Sequence, residues 1–138
     1  MPEDGYYSKR PRPDHRKYLI GYLHAREPVS SIDEVDDFRL IVRRATKSDI
    51  RVYLTNQYML GVADVEDILA EAPETTCIVS TMDYNHYSGE AKALAKERGV
   101  GLFKTNEFLG AVYHDGQRFL DYLSPSQREA LGRQDGSA

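Results

Sequence analysis

Two short segments with a two-residue period constrain this chain more than any other feature. DFRLIVRR, residues 37–44, sets Phe38, Leu40 and Val42 against Arg39, Ile41 and Arg43. IRVYLTN, residues 50–56, sets Ile50, Val52 and Leu54 against Arg51, Tyr53 and Thr55. Successive side chains of a strand point to opposite faces, so each alternation describes a half-buried strand. The link ATKSD is five residues long, short enough to close an antiparallel hairpin. One face of that hairpin is apolar, and the other carries Arg39, Arg43, Arg51 and Tyr53.

Past residue 60 the period changes. VADVEDILAEA puts Val62, Val65, Ile68 and Leu69 on one helical stripe, stopped by Pro73. TTCIVSTM has no polar face, as expected of a strand covered on both sides. SGEAKALAKERG reads as a helix capped by Ser88, with Ala91, Leu94 and Ala95 inward and Gly99 ending it in the left-handed conformation. VGLFKT is a second buried strand, and NEFLGAV a short helix capped by Asn106 or Thr105. SPSQREALG carries Ser124 as cap, Pro125 at the first helical position, Gln127 closing a capping box and Gly132 as terminator. Upstream, KYLIGYLH at 17–24 reads as a strand and EPVSSIDEVDD as a short helical turn. The expected fold is a mixed-sheet, three-layer α/β/α domain, an antiparallel hairpin followed by β-α-β-α-β. That domain spans 17–132, after a mobile basic arm at 1–16 with Pro2, Gly5, Pro11 and Pro13, and before a frayed tail at 133–138.

Composition removes several classes. One cysteine cannot form an internal disulfide or a cysteine-based zinc site, so Cys77 reads as a small core hydrophobe. Four histidines are scattered without metal-ligand spacing. No apolar run reaches membrane-spanning length, and the polar N-terminus does not resemble a secretory signal, so a cytoplasmic protein with no membrane partner is expected. There is no P-loop, no Gly-x-Gly-x-x-Gly and no GxSxG elbow. Net charge is −4 and uneven. Lys9, Arg10, Arg12, Arg16 and Lys17 cluster at the N-terminus; Arg39, Arg43, Arg44, Lys47 and Arg51 cluster on the hairpin; Asp64, Glu66, Asp67, Glu71 and Glu74 lie together on and just after the first helix. Basic patches attract phosphate.

The run CIVSTMDYNHYSGEAKALAKERGVGLFKTNEFLGAV, joined to the hairpin, resembles the restriction-endonuclease-like fold, closest to its Mrr-type branch. The likeness lies in a buried strand ending in small polar residues, a helix of the form EA-x-x-LA-x-x-x-G, a short strand and a helix with a polar first turn. In that family an acid heads the second core strand, and an acid, a spacer and a lysine follow on the third. The carboxylates hold magnesium, which activates water. Asp37, with Asp36 beside it, matches the first position. The third strand has Tyr53, Leu54 and Thr55 where acid, spacer and lysine are expected. The resemblance therefore implies a nucleic-acid-associated protein without metal-dependent cleavage and without a cofactor. Its binding residues would be Arg39, Arg43, Arg51, Tyr53, Lys9, Arg10 and Arg12. An active magnesium nuclease would need a displaced site, Asp36 or Asp37 joined by Asp49, Glu34 or Asp83. A third reading is an adaptor or structural subunit, with the hairpin face contacting a protein partner or a second copy. Separately, Asp83, Asn85, His86 and Ser88 form the densest polar loop, at the end of a buried strand where anions and ligands bind in α/β sheets.

Overall fold

The computed structural model describes residues 10–82 and 86–136. The chain runs α1 (Pro13–His24), β1 (Val29–Glu34), β2 (Arg39–Arg44), β3 (Ile50–Thr55), β4 (Met59–Leu60), α2 (Val62–Glu71), β5 (Cys77–Ser80), β6 (His86–Tyr87), α3 (Gly89–Glu97), β7 (Gly101–Lys104), α4 (Thr105–Ala111), α5 (Gly116–Leu120) and α6 (Pro125–Gly136). Five strands form one mixed sheet in the order β1-β2-β3-β5-β7, and β4 and β6 make a small parallel pair beside it. The hairpin is antiparallel in the register Arg39↔Tyr53, Leu40↔Val52, Ile41↔Arg51. From β3 onward the pairing is parallel, through β5 to β7.

Helices cover both faces. Leu40, Val42, Ile50, Val52, Leu54, Cys77, Val79 and Phe103 face one core, closed by Leu19 and Leu23 of α1 and by Phe108 and Ala111 of α4. Tyr53, Ile78 and Leu102 face the other, closed by Val65 and Ile68 of α2 and by Ala91 and Ala95 of α3. Among the described residues this second core holds none of β1 or β2, and no helix covers the outer half of the sheet on that side. Cys77 is fully buried, and burial pushes its thiol well above the ordinary range. Among the described residues no helix is long and apolar enough to cross a membrane.

Three expectations for the N-terminal region change. Residues 17–24 are not a strand but the body of α1. Read as a strand, KYLIGYLH is apolar on both faces, a pattern that also fits a helix. Pro13 at the first turn, Asp14 beside it and Leu19 and Leu23 buried one turn apart decide for the helix. Helix α1 takes in the last four residues of the segment expected as an arm; residues 1–9, including Lys9, lie outside the described residues. The stretch expected as a helical turn is instead the edge strand β1, antiparallel to β2. Its pairing partner supplies the hydrogen bonds that local propensity did not favour.

The caps follow the sequence in two helices. Ser88 Oγ accepts from Ala91 N at 3.0 Å, and Gly99 takes φ +73° after α3. At α6, Ser124 N donates to Gln127 Oε1 and Gln127 N to Ser124 Oγ. Neither Thr105 nor Asn106 caps α4: the N-cap is Lys104, whose N–H donates to Glu107 Oε1 at 2.7 Å. Gly132 does not end α6, which continues to Gly136, into the stretch expected to fray.

The end of β2 is tied to the rest of the chain by Arg44, whose side chain is 1% exposed. Its Nε donates to Ser48 O, one terminal nitrogen donates to Val112 O and His114 O, and the other pairs with Asp115 at 3.0 Å. Ser48 also donates its hydroxyl and N–H to Asp115, which with Gly116 N and Arg44 holds that carboxyl down at about 2. A buried guanidinium with its donors engaged is costly to break.

Two substitutions test this arrangement. Ile78→Ala, in the central strand, is expected to cost about 2–5 kcal/mol in urea denaturation, from lost transfer energy and a cavity; a loss under about 1 kcal/mol would place Ile78 outside a packed core. Arg44→Lys removes the fork while keeping the charge. It should destabilise by about 3 kcal/mol or more because carbonyls and Asp115 are left short of donors, and a melting temperature equal to wild type would refute the role assigned to this side chain.

Candidate functional site

The hairpin places Arg39, Arg43, Arg51 and Tyr53 on one face, as the alternation requires. Their environments differ. Tyr53 is only 7% exposed: it stacks on Phe38 at 5.5 Å and sits under α2, where burial and the carboxylate of Glu71 raise its hydroxyl to about 12. Arg51 is exposed and makes no ion pair among the described residues. Arg39 is held by Asp36 at 2.6 Å and Glu74 at 3.3 Å. Arg43 is held by Asp33 at 2.7 Å and Asp49 at 2.5 Å. Four carboxylates thus answer two of the three guanidiniums on the face read from sequence as basic. Sequence counting missed this because Asp33 and Asp36 belong to a strand and turn that were read as helical, and Glu74 is brought in from beyond α2.

Asp36 and Asp37, adjacent at the head of β2, do different things. Asp36 accepts from the N–H groups of Phe38 and Arg39 and from the Arg39 guanidinium. Partial burial opposes its ionisation, and these donors outweigh it, so its carboxyl lies below the usual range. Asp37 pairs with Arg10 at 3.6 Å and lines a cavity of about 270 Å3 with Pro13, Arg16, Lys17 and Glu34. Asp37 therefore turns toward α1, whereas Tyr53 packs under α2. Of the acids considered for a displaced site, Glu34 pairs with Arg16 and Asp49 with Arg43, while Asp83 lies outside the described residues. Among the described residues no three His, Cys, Asp or Glu are grouped to hold a metal ion. Arg12 pairs with Asp14 at 3.4 Å.

In the polar loop, Asp83 and Asn85 lie outside the described residues. His86 is exposed in β6, edge-on to Tyr58 at 5.8 Å. Ser88 spends its hydroxyl as the α3 cap.

Sequence reading passed over a buried polar cluster at the β7 edge. Glu107, 4% exposed, accepts from Tyr87 Oη, from Gln127 Nε2 and from Lys104 N. Lys92 donates to Leu102 O at 2.6 Å and lies 4.0 Å from the Phe103 ring centroid. Burial lowers its ammonium to about 8, against the pull of Glu107. The one signal for this cluster was the run KTNE, which spaces Glu107 as the capping-box acid of α4. Comparison with protein-family models, curated proteins and solved structures finds no match to this chain.

Lys92 makes stability pH-dependent with a defined sign. Its folded value lies below the unfolded one of 10.5. The burial penalty is thus present in full below about 8 and fades as pH rises through the folded value toward the unfolded one. Between pH 7.5 and 9 the melting temperature of wild type is expected to climb relative to Lys92→Met. Parallel curves for the two proteins would show that Lys92 stays charged and solvated.

Proposed function

We propose that this chain is a nucleic-acid-associated protein built on a restriction-endonuclease-like scaffold and that it does not cleave its ligand by metal-dependent chemistry. The reading is supported by the order of elements, a helix and a three-strand antiparallel meander leading into a parallel β-α-β-α-β run. The observation that carries the absence of cleavage is Tyr53. It stands on the third strand, where the resemblance calls for an acid, buried and held neutral by its surroundings, with Arg39 across from it in register. A neutral phenol is no substitute for a carboxylate toward magnesium. Asp37 turns away to Arg10, and no lysine shares the strand to serve the attacking water.

The charge lattice on the open sheet face favours a second reading, in which that face contacts protein. Arg39 and Arg43 would have to leave their carboxylates to reach a phosphate. A protein surface of alternating charge, by contrast, meets the lattice without breaking it, around the half-buried Ile41.

With Mg²⁺ or Mn²⁺, the purified protein is expected to cut DNA and RNA no faster than its Asp37→Ala variant. Cleavage by wild type that is lost in the variant would end the proposal. Binding of a labelled oligonucleotide should be detectable at low salt and fall steeply as salt rises, through counterion release. No binding at any salt, with light scattering showing a larger protein assembly, would select the protein-contact reading.

A further inference from the structure

A second group of cations without carboxylate partners among the described residues lies past β7. Between α5 and α6 a pocket of about 420 Å3 is lined by His114, Gln117, Arg118, Tyr122 and Arg128, with Asp121 at its side. Arg118 and Arg128 make no ion pair among the described residues, in contrast to Arg39 and Arg43, each clamped by two carboxylates. The pocket's one acid is already engaged: Asp121 pairs with Lys96 at 3.2 Å and accepts from Gln117 at 3.0 Å. Among the described residues, Arg118, Arg128 and Lys96 therefore outnumber the one carboxylate at the pocket, Asp121.

Its aromatic wall is built in. Tyr122 packs against the core beside α1 and α4, and its hydroxyl sits so close to Gly110 that a side chain there would collide with it. His114 lies tilted against the Tyr122 ring at 5.5 Å, and the Arg128 guanidinium is 5.9 Å from the same ring. Guanidiniums offer a planar fork that matches phosphate oxygens, and rings fixed beside them suit a base.

We propose that this pocket binds the phosphate of a nucleotide, with Arg118 and Arg128 on the phosphate oxygens and the Tyr122–His114 wall against the attached base. The ligand chemistry is the same whether the phosphate belongs to a mononucleotide or ends a nucleic-acid strand. The second source rests on the nucleic-acid reading above; the first does not.

The test uses the full chain and calorimetric titration with AMP, adenosine, and an oligonucleotide with or without a 5′-phosphate. AMP should bind and adenosine should not, and inorganic phosphate should compete with AMP. Arg118→Ala and Arg128→Ala should each weaken AMP by about tenfold or more, as expected for a lost charged hydrogen bond. Both side chains are exposed, and circular dichroism checks that the variants fold. Arg51→Ala, outside the pocket's lining, should leave AMP binding unchanged. A preference for the 5′-phosphorylated strand that the arginine variants abolish would name the strand end as ligand. AMP binding without any oligonucleotide binding would uphold the pocket and defeat the nucleic-acid reading. AMP binding no better than adenosine, or unaltered in the Arg118→Ala/Arg128→Ala double variant, would overturn the pocket even if oligonucleotides still bind elsewhere.

Discussion

A single buried guanidinium ties the hairpin to the helices that follow β7. Arg44 ends β2 and reaches the carbonyls of Val112 and His114, just past α4. The last carbonyls of a helix carry partial negative charge, so a cation belongs there. The same guanidinium pairs with Asp115, which also binds Ser48 in the hairpin link and the first N–H of α5. One carboxylate and one guanidinium thus fix the link between β2 and β3, the exit of α4 and the start of α5. Removing a charge of this kind from water is worthwhile only when its donors are met, and here the carbonyls and the carboxylate meet them.

Around that joint the sheet is unequally dressed. Among the described residues, the α1 and α4 side is covered across its width, and the opposite side over β3, β5 and β7 alone. The bare part of β1 and β2 solves its exposure with ion pairs instead of a helix. Such pairs contribute little individually to stability in water. Their larger effect is on the surface potential: they offset the positive charge that Arg39 and Arg43 would otherwise project.

The far edge is managed differently. Among the described residues β7 ends the sheet order, and Lys92 satisfies the carbonyl of Leu102 there. Glu107 collects donors from β6, from the start of α4 and from α6, so three separate pieces of chain are joined at one carboxylate. An unpaired sheet edge invites association, and a charged side chain laid along it blunts that tendency.

Much of the domain was legible along the chain. The alternation in 37–44 and 50–56 determined the hairpin and its faces, because a two-residue period has only one structural meaning. Ser88, Gly99, Pro125 and Gln127 marked helix ends through purely local hydrogen bonding and φ preference. What lay beyond reach was whatever depended on partners distant in sequence. KYLIGYLH became helix on the strength of the Leu19 and Leu23 contacts, and VSSIDE became strand because β2 lay beside it. Charge is the clearest case. The sequence determined how many arginines the hairpin face would carry; only the tertiary structure decided that Asp33, Asp36, Asp49 and Glu74 would pair with Arg39 and Arg43, while Arg118 and Arg128 make no ion pair among the described residues. Electrostatic potential depends on real separation, decaying over a Debye length of roughly 8–10 Å, and separation in sequence does not report it.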